Sequence, residues 1–592
     1  MKKLLPLLLV LAMIAAVFTG CSGSSITTGP STAEKPSTTA AVTTAKSLLN
    51  LDSLVPVVNE PVTVSLGVMV SETSGKPEDL WFWDYLEKIT GVHFEFTAYL
   101  DSAWSEKKTV VMAGGDYPEA FFIPGAFSSN EIYKYGKEGI FIALNDYIED
   151  YMPSMIARTQ EFPAMLPTMT CPDGNIYALA ETTDVWFPYS GNYNVKWRDA
   201  AGSTELPTTL DEFYELLKSY KELGDVNGDG IDNEYPWTGS WKDNSQNRMV
   251  ILNGFGILTN GNLGPGIGIE DNEASYFPMS DKYREYLEYM NKLYTEKLVD
   301  PDIFTLTNTE CASKVQIGTV GFLAANAMYL SGAVDTYKDW EIMIPLAPDE
   351  NTEPAIFKNS SVTNPAAYIT DACKNPEVVC RWLNLFFEKE YCMLQFGPDA
   401  NNPDHMEGWE DTDVARHIVE TKPASSFGDY VWSFGDLDPD TVIANFTNVG
   451  QPEGVDWVTW MNDKAVPLWG RFGDSFLMGM SWYFYDAIGS IPEFWGNDAG
   501  EGYWRKQMYE RGAQYAIEGY PAYVFYTDEQ TEFINTHKTP LQDYVTSMEA
   551  KFITGAISFD EFDNYIAELD KLGANEYNEI ISGYYENYKK NK

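Results

Sequence analysis

Apolar residues alternate with smaller or polar ones from Pro61 to Val70. Val62, Val64, Leu66, Val68 and Val70 share one face, which predicts a strand. Ser71–Gly75 reads as a polar turn. Pro77 opens a helical stretch through Leu80, Trp83, Tyr85 and Leu86, which stops at Gly91. Val92–Phe96 reads as a second strand. Trp104–Ala113 reads as a helix stopped by Gly114-Gly115, and Ala120–Ile123 as a third strand. Strands alternating with helices predict βαβ units on a parallel sheet, so the fold class is α/β. Residues 71–75 and 124–127 follow such strands, so they fall at the carboxyl edge, where open α/β sheets bind ligands. Trp81 and Trp83 sit at helical spacing and read as core.

Ser128 with Glu131, Thr209 with Glu212, and Ser558 with Glu561 each have the Ser/Thr-x-x-Glu spacing of a capping box. Phe213, Leu216, Leu217 and Tyr220 then form one helical face. Phe562, Tyr565, Ile566, Leu569 and Leu572 form another, with Gly573 placed as its C′ residue. Asp173-Gly174 predicts a hairpin turn. No repeat of fixed period is visible. Residues 401–454 are rich in Asp, Pro, Asn and Gly, but Trp409, Trp432 and Phe434 interrupt them, so they read as ordered loop.

The first twenty residues change the picture. Lys2 and Lys3 precede an apolar run, Leu4–Val17, of signal-peptide length, too short to span a membrane. Phe18-Thr19-Gly20-Cys21 resembles the bacterial lipobox, with Phe18 where Leu is usual. The resemblance implies a lipid on Cys21; the alternative is an ordinary signal peptide with an incidental Cys. Ser22–Lys46 is nearly all Ser, Thr, Gly, Ala and Pro and reads as a flexible tether. The resulting division is signal peptide 1–20, tether 21–56 and a folded part from residue 57. A chain of 592 residues is too long for one core, so at least two lobes follow. A net charge of −47 excludes nucleic acid as the default partner. Cys171, Cys311, Cys373, Cys380 and Cys392 lack zinc-site spacing and read as buried thiols.

Asp225-Val226-Asn227-Gly228-Asp229-Gly230-Ile231-Asp232-Asn233-Glu234 has the D-x-[DN]-x-[DN]-G start of an EF-hand loop. Calcium takes about six to eight hard oxygens. Asp225, Asn227, Asp229, Asn233 and the Ile231 carbonyl occupy the donor positions, and Gly230 permits the bend. Pro236 stands where the closing Glu is usual, and Glu234 is the substitute. A structural calcium clip is the reading; a metal-free Asp/Asn/Gly turn is the alternative.

With these residues in hand, the chain resembles the extracellular solute-binding protein family 1, in the subgroup serving complex-sugar ABC importers. The likeness rests on Lys196-Trp197-Arg198-Asp199 followed by Leu206–Phe213, on Lys314–Phe322, on Asn375-Pro376-Glu377 leading into Cys380–Leu383, and on Phe552–Tyr565. The calcium loop resembles that of the alginate-binding members, while the acidity of this chain argues against alginate itself. The resemblance implies a two-lobed, type II periplasmic-binding-protein-like fold with its ligand cleft between the lobes. The first lobe would hold 57–187 and about 357–400. The second would hold 188–356 and about 401–592. It implies a lipid-anchored monomer outside the cell that hands an oligosaccharide to an ABC permease.

Sugars offer apolar faces to aromatic rings and hydroxyls to polar side chains. Aromatic residues are 14% of the chain, with 17 Trp, enough to furnish both a core and a cleft. Position selects Glu72 and Phe122 at strand ends, Trp186 and Tyr189 at a lobe crossing, Trp237 and Trp241 after the calcium loop, Tyr329 after the strand near 315–322, and Trp482. A glycoside hydrolase would need two opposed carboxylates, and no pair stands out. No Gly-x-Ser-x-Gly or His-Glu-x-x-His appears, and His93, His405, His417 and His537 are scattered. The chain therefore reads as a binder without catalytic residues. A peptide ligand, or a membrane sensor in place of the permease, are the remaining alternatives.

Overall fold

The structure, a computed structural model, describes residues 48–70, 76–79, 81–182, 191–262, 264–324, 339–358, 360, 362–388, 390–391, 394, 507–508 and 510–592. Cys21, Cys392 and the stretch 401–454 lie outside the described residues.

The strands are β1 (Val62–Val70), β2 (Val92–Leu100), β3 (Ala120–Phe122), β4 (Leu179–Thr182), β5 (Asn192–Asn194), β6 (Tyr235–Thr238), β7 (Ile267–Glu270), β8 (Glu273–Tyr276), β9 (Val320–Leu323), β10 (Trp340–Ile342), β11 (Ile356–Lys358), β12 (Val362–Ile369) and β13 (Ala516–Glu518). The first sheet has the order β2-β1-β3-β12-β4. β1 runs parallel to β2 and β3, with Val62 opposite Val92 and Leu66 opposite Ala120. β12 lies antiparallel between β3 and β4. Helices Trp81–Thr90 and Asp101–Gly114 make the parallel crossovers among β1, β2 and β3. The second sheet has the order β10-β5-β9-β6, with β6 parallel to β9. The chain thus leaves the first sheet after Thr182, builds the second between 192 and 342, and returns at Val362. Each sheet is the centre of one lobe.

Successive side chains of a strand point to opposite faces, and both faces of the first sheet are covered. Val64, Leu66, Val68 and Phe122 join the large core, where Trp83 stacks on Trp382 with centroids 5.8 Å apart. Tyr99 and Phe121 join a smaller cluster with Trp104, Phe127 and Tyr368 on the other face. Burial on both sides is what a sheet with helical crossovers requires.

The capping boxes at Ser128/Glu131 and Thr209/Glu212 form reciprocally and start helices Ser129–Lys137 and Leu210–Lys221. The third differs. Ser558 accepts from the backbone N–H of Asp560 and starts a one-turn 3-10 helix, Phe559–Glu561, ahead of helix Phe562–Lys571. Gly573, with φ +92°, ends that helix and opens Ala574–Asn591.

The folded part begins before residue 57. Leu49 is buried and bridges Val58, and Arg381 donates to the Ser53 carbonyl. Residues 48–56 therefore belong to the body of the first lobe rather than to a tether. Residues 507–592 touch both lobes: Lys137 meets Asp528 at 2.6 Å, and Asn291 donates to the Phe552 carbonyl at 3.1 Å.

Candidate functional site

Two regions carry chemistry: the carboxyl edges of the sheets and the loop 225–234. β1 ends at Val70, β3 at Phe122 and β4 at Thr182, all at one edge of the first sheet, because β4 and β3 are both antiparallel to β12. In the second sheet Thr238 pairs with Leu323, so β6 and β9 end together. Chain segments 71–75, 183–190 and 325–338 leave from these ends. Glu72, Trp186, Tyr189 and Tyr329 fall on those segments and, with Trp482, lie outside the described residues.

The other three aromatic candidates are in lobe cores. Phe122 is 1% exposed, packed against Trp382 and Phe386 with centroids 5.9 and 6.3 Å away. Trp237 has no exposed surface and sits between Phe213, Phe322 and Trp241 at 5.8, 5.6 and 5.4 Å. Trp241 is 2% exposed, beside the Arg248 guanidinium. Partners distant in sequence cover these rings, and none presents a face to a ligand in this structure. The polar groups at the second sheet's edge went unnoticed in the sequence. Asn244 donates to the carbonyl of Ala324, the last residue before segment 325–338, at 3.3 Å. Gln246, two positions on, has a buried Oε1 without a partner among the described residues. Their signal was a Gly/Ser/Asn-rich stretch just past β6, overshadowed by the neighbouring tryptophans.

The loop 225–234 is wound around its own side chains. Asp225 Oδ1 accepts from the backbone N–H groups of Gly228 (2.6 Å) and Asp229 (3.1 Å), and Oδ2 from that of Gly230 (2.8 Å). Asp229 Oδ1 accepts from Ile231 N–H, and Glu234 takes Val226 N–H and Asn233 N–H on its two oxygens. Gly228 and Gly230 have φ of +81° and +79°, a left-handed backbone that glycine adopts without strain. The Asn233 Oδ1 is buried and has no hydrogen-bond partner among the described residues. That orphan oxygen and the all-oxygen donor set suit a hard cation. The carboxylates are nevertheless spread over backbone N–H groups, and among the described residues no three or more His, Cys, Asp or Glu side chains gather as a metal-ligating group.

The loop is tied to the second lobe. Asn227 Nδ2 donates to the Ile317 carbonyl at 3.0 Å. Ile317 ends helix Asn308–Gln316, whose Lys314 reaches the fully buried Asp300 at 2.5 Å. Thr238 at the end of β6 donates to the same Asp300 oxygen at 2.6 Å. Burial works against the Lys314 charge, but the Asp300 carboxylate outweighs it and holds the lysine pKa above its usual value.

Residues 70–391 match the model of the family described as bacterial extracellular solute-binding protein. The chain is 24% identical over 534 residues to the fructooligosaccharide ABC transporter substrate-binding protein FusA of Streptococcus pneumoniae serotype 4, covering 87% of this chain and 88% of that one. The solved structure of an EF-hand mutant of FusA with fructo-nystose has 21% identity and a TM-score of 0.56, over 90% of this chain and all of that one. An HMO-binding, ABC-transporter-associated solute-binding protein from Bifidobacterium longum infantis superposes with a TM-score of 0.61 at 18% identity, over 90% of this chain and 99% of that one. Lipoprotein LipO of Bacillus subtilis is 28% identical over 243 residues, 40% of this chain and 45% of that one.

Proposed function

Since the chain belongs to the bacterial extracellular solute-binding protein family, we propose that it captures an oligosaccharide outside the cell and delivers it to an ABC import permease. The observation that carries the reading is the alignment with FusA across 87% of this chain, beyond the bounds of the family match itself. The ligand sits between the carboxyl edges of the two sheets. Glu72, Trp186, Tyr189, Tyr329 and Trp482 supply ring faces and a carboxylate, joined by Asn244 and Gln246. The lobes close around the sugar because it binds the closed form better, and the closed form docks on the permease. No bond of the ligand is broken. A peptide ligand, and a sensor in place of the permease, have no observation in their favour.

Calcium held by Asp225, Asn227, Asp229, Asn233, Glu234 and the Ile231 carbonyl is part of the proposal. Its support is the orphan Asn233 oxygen and the EF-hand named for FusA. The ion would be structural, fixing the loop against the Ile317 turn. A lipid on Cys21 holds the protein, a monomer, at the outer face of the membrane; the Phe18–Cys21 motif and the likeness to LipO support this.

Calorimetric titration of residues 21–592 carrying Cys21→Ser, in calcium, tests the carbohydrate reading. Kestose, nystose, raffinose and a set of tri- to pentapeptides are the probes, and each is checked by chromatography after overnight incubation. A sugar that binds and is recovered intact is the expected result. Binding of peptides alone, or cleaved sugar, would overturn it.

A further inference from the structure

A groove of about 860 Å³ lies between two parts of the chain that are distant in sequence. One wall is the segment 159–174, with helix Met165–Met169 and the Asp173-Gly174 turn. The other wall is the start of helix Asp528–Ile553 and the last turns of Ala574–Asn591. Small-molecule sites occupy roughly 300–1,000 Å³. The groove is not at the carboxyl edge: the 159–174 wall precedes β4, so it lies toward the opposite end of the first sheet.

Its chemistry is unlike the rest of the surface. The protein has 87 acidic and 40 basic residues, yet none of the sixteen residues lining the groove is charged. Tyr584, half-buried, brings aromatic surface, Tyr588 one turn on is buried beneath it, and Pro163 and Pro167 line the other wall. Two lining side chains, half-buried Gln530 and exposed Asn587, keep amide donors. Gln530 uses Oε1 on the Thr527 N–H of its capping box, which leaves the two hydrogens of Nε2. Asn587 accepts from Asn591 at Oδ1, which leaves Nδ2. Neither donor has a partner among the described residues.

Gly583 supplies an independent argument. It sits inside the eighteen-residue helix Ala574–Asn591, where glycine is less favourable than alanine by about 1 kcal/mol. Its φ is not positive, and a Cβ placed there would meet nothing within 4 Å. Neither backbone conformation nor packing calls for glycine. Gly583 is exposed and lines the groove, so a long side chain there has open space to enter it.

We propose that this groove binds a short neutral sugar, of one to three rings, at a site separate from the carboxyl-edge cleft. Charged ligands find no counter-charge there. A polyhydroxylated ligand finds ring and proline faces for its C–H surface and free amide N–H groups for its hydroxyls. Bound there, it bridges the 159–174 segment of the first lobe to the C-terminal helices.

Equilibrium dialysis of radiolabelled kestose and raffinose against residues 21–592 carrying Cys21→Ser reads the number of sites. Gly583→Leu fills the groove, and Gln530→Ala with Asn587→Ala removes its donors; the melting temperature of each checks folding, and the double variant decides if Gly583→Leu fails to fold. Two sugars per wild-type chain, falling to one in Gly583→Leu and weakened at least tenfold at one site in the double variant, is the expected result. One site of unchanged affinity in all three proteins overturns the proposal and leaves the cleft intact. A single site lost in Gly583→Leu supports the groove and overturns the cleft instead. No sugar bound to any of them overturns both.

Discussion

The Arg248 Nε lies 2.9 Å from both carboxylate oxygens of Glu549, 301 positions away, and neither side chain is more than 8% exposed. Arg248 Nη1 also donates to the Trp241 carbonyl at 2.7 Å, and the Tyr286 hydroxyl donates to Glu549 at 2.9 Å. One charge pair thus joins helices Gln246–Gly254, Asp281–Thr295 and Asp528–Ile553. Burial alone would weaken the hold of Arg248 on its proton, but the facing carboxylate more than offsets this and keeps the pKa raised. The pair anchors the C-terminal helices to the second lobe.

Removing one partner leaves the other charge buried and alone. Glu549→Gln should therefore lower unfolding free energy by about 3–5 kcal/mol, measured by urea titration. Replacing both together, Arg248→Met with Glu549→Leu, should recover most of that loss. A loss below about 1 kcal/mol in Glu549→Gln would show that the pair does not hold the helices.

Gly191 begins the chain's entry into β5, and a Cβ there would overlap the Phe322 ring and the Met343 sulfur. Both neighbours are in the lobe interior, at 0% and 2% exposure, and cannot swing into solvent. Gly191→Ala should cost about 1–3 kcal/mol. Gly114→Ala, where a Cβ meets nothing within 4 Å, is the matched control and should be neutral or slightly stabilising. Equal melting temperatures for the two variants would contradict the packing argument.

The capping box at Thr209 makes a prediction about acid. Backbone and hydroxyl hydrogen bonds from Thr208 and Thr209 hold the Glu212 carboxyl below its usual pKa, against a smaller opposing effect of burial. A depressed carboxyl contributes stability above its unfolded pKa, near about 4.3, and loses it as pH falls through the lower folded value. Wild type should exceed Glu212→Gln in stability at pH 7, and the gap should close below about pH 4. A gap that stays constant from pH 7 to pH 3 would remove the ionised box as its source.

Burial pushes the thiol pKa of Cys311 up to about 11 and that of Cys373 to about 12, with Cys171 and Cys380 raised too. Thiolate is the reactive form. At pH 8 these four should alkylate with iodoacetamide on the order of 100-fold more slowly in the native protein than in urea. Peptide mapping reads each site separately. Native labelling at the denatured rate would show that the thiols are not shielded.

Calcium is expected to stabilise the second lobe through Asn227 and Ile317. At a hundred times its dissociation constant it should add about 2.7 kcal/mol, seen as a higher melting temperature that EDTA reverses. Asp225→Ala and Asn233→Ala should lose the response. A wild-type protein indifferent to EDTA and to added calcium would leave the loop a metal-free turn.

The features legible in the sequence are those that neighbours in the chain decide. The alternation in Val62–Val70, the reciprocal boxes at Ser128 and Thr209, the left-handed Gly573 and the loop 225–234 each depend on residues within one or two turns. Even there Ser558 shows a limit, since its spacing fits a capping box but the backbone takes a single 3-10 turn. The N-terminal boundary is not legible locally, because what orders residues 48–56 includes Arg381, far along the chain.

Whether an aromatic ring faces ligand or core is not local. Trp237 is a strand residue beside a polar loop, as a cleft tryptophan would be. It is buried because Phe213 and Phe322 arrive from other elements to cover it. Phe122 is covered by Trp382 and Phe386, which return to the first lobe only after the second is built. The sequence by itself determined the class of the elements, their order and the glycine turns of the loop 225–234, because hydrogen bonds and periodicity act over a few residues. Only the tertiary structure decided which rings are core, that residues 48–56 join the folded body, and that an uncharged groove forms beside Gly583. Those depend on contacts between segments hundreds of residues apart.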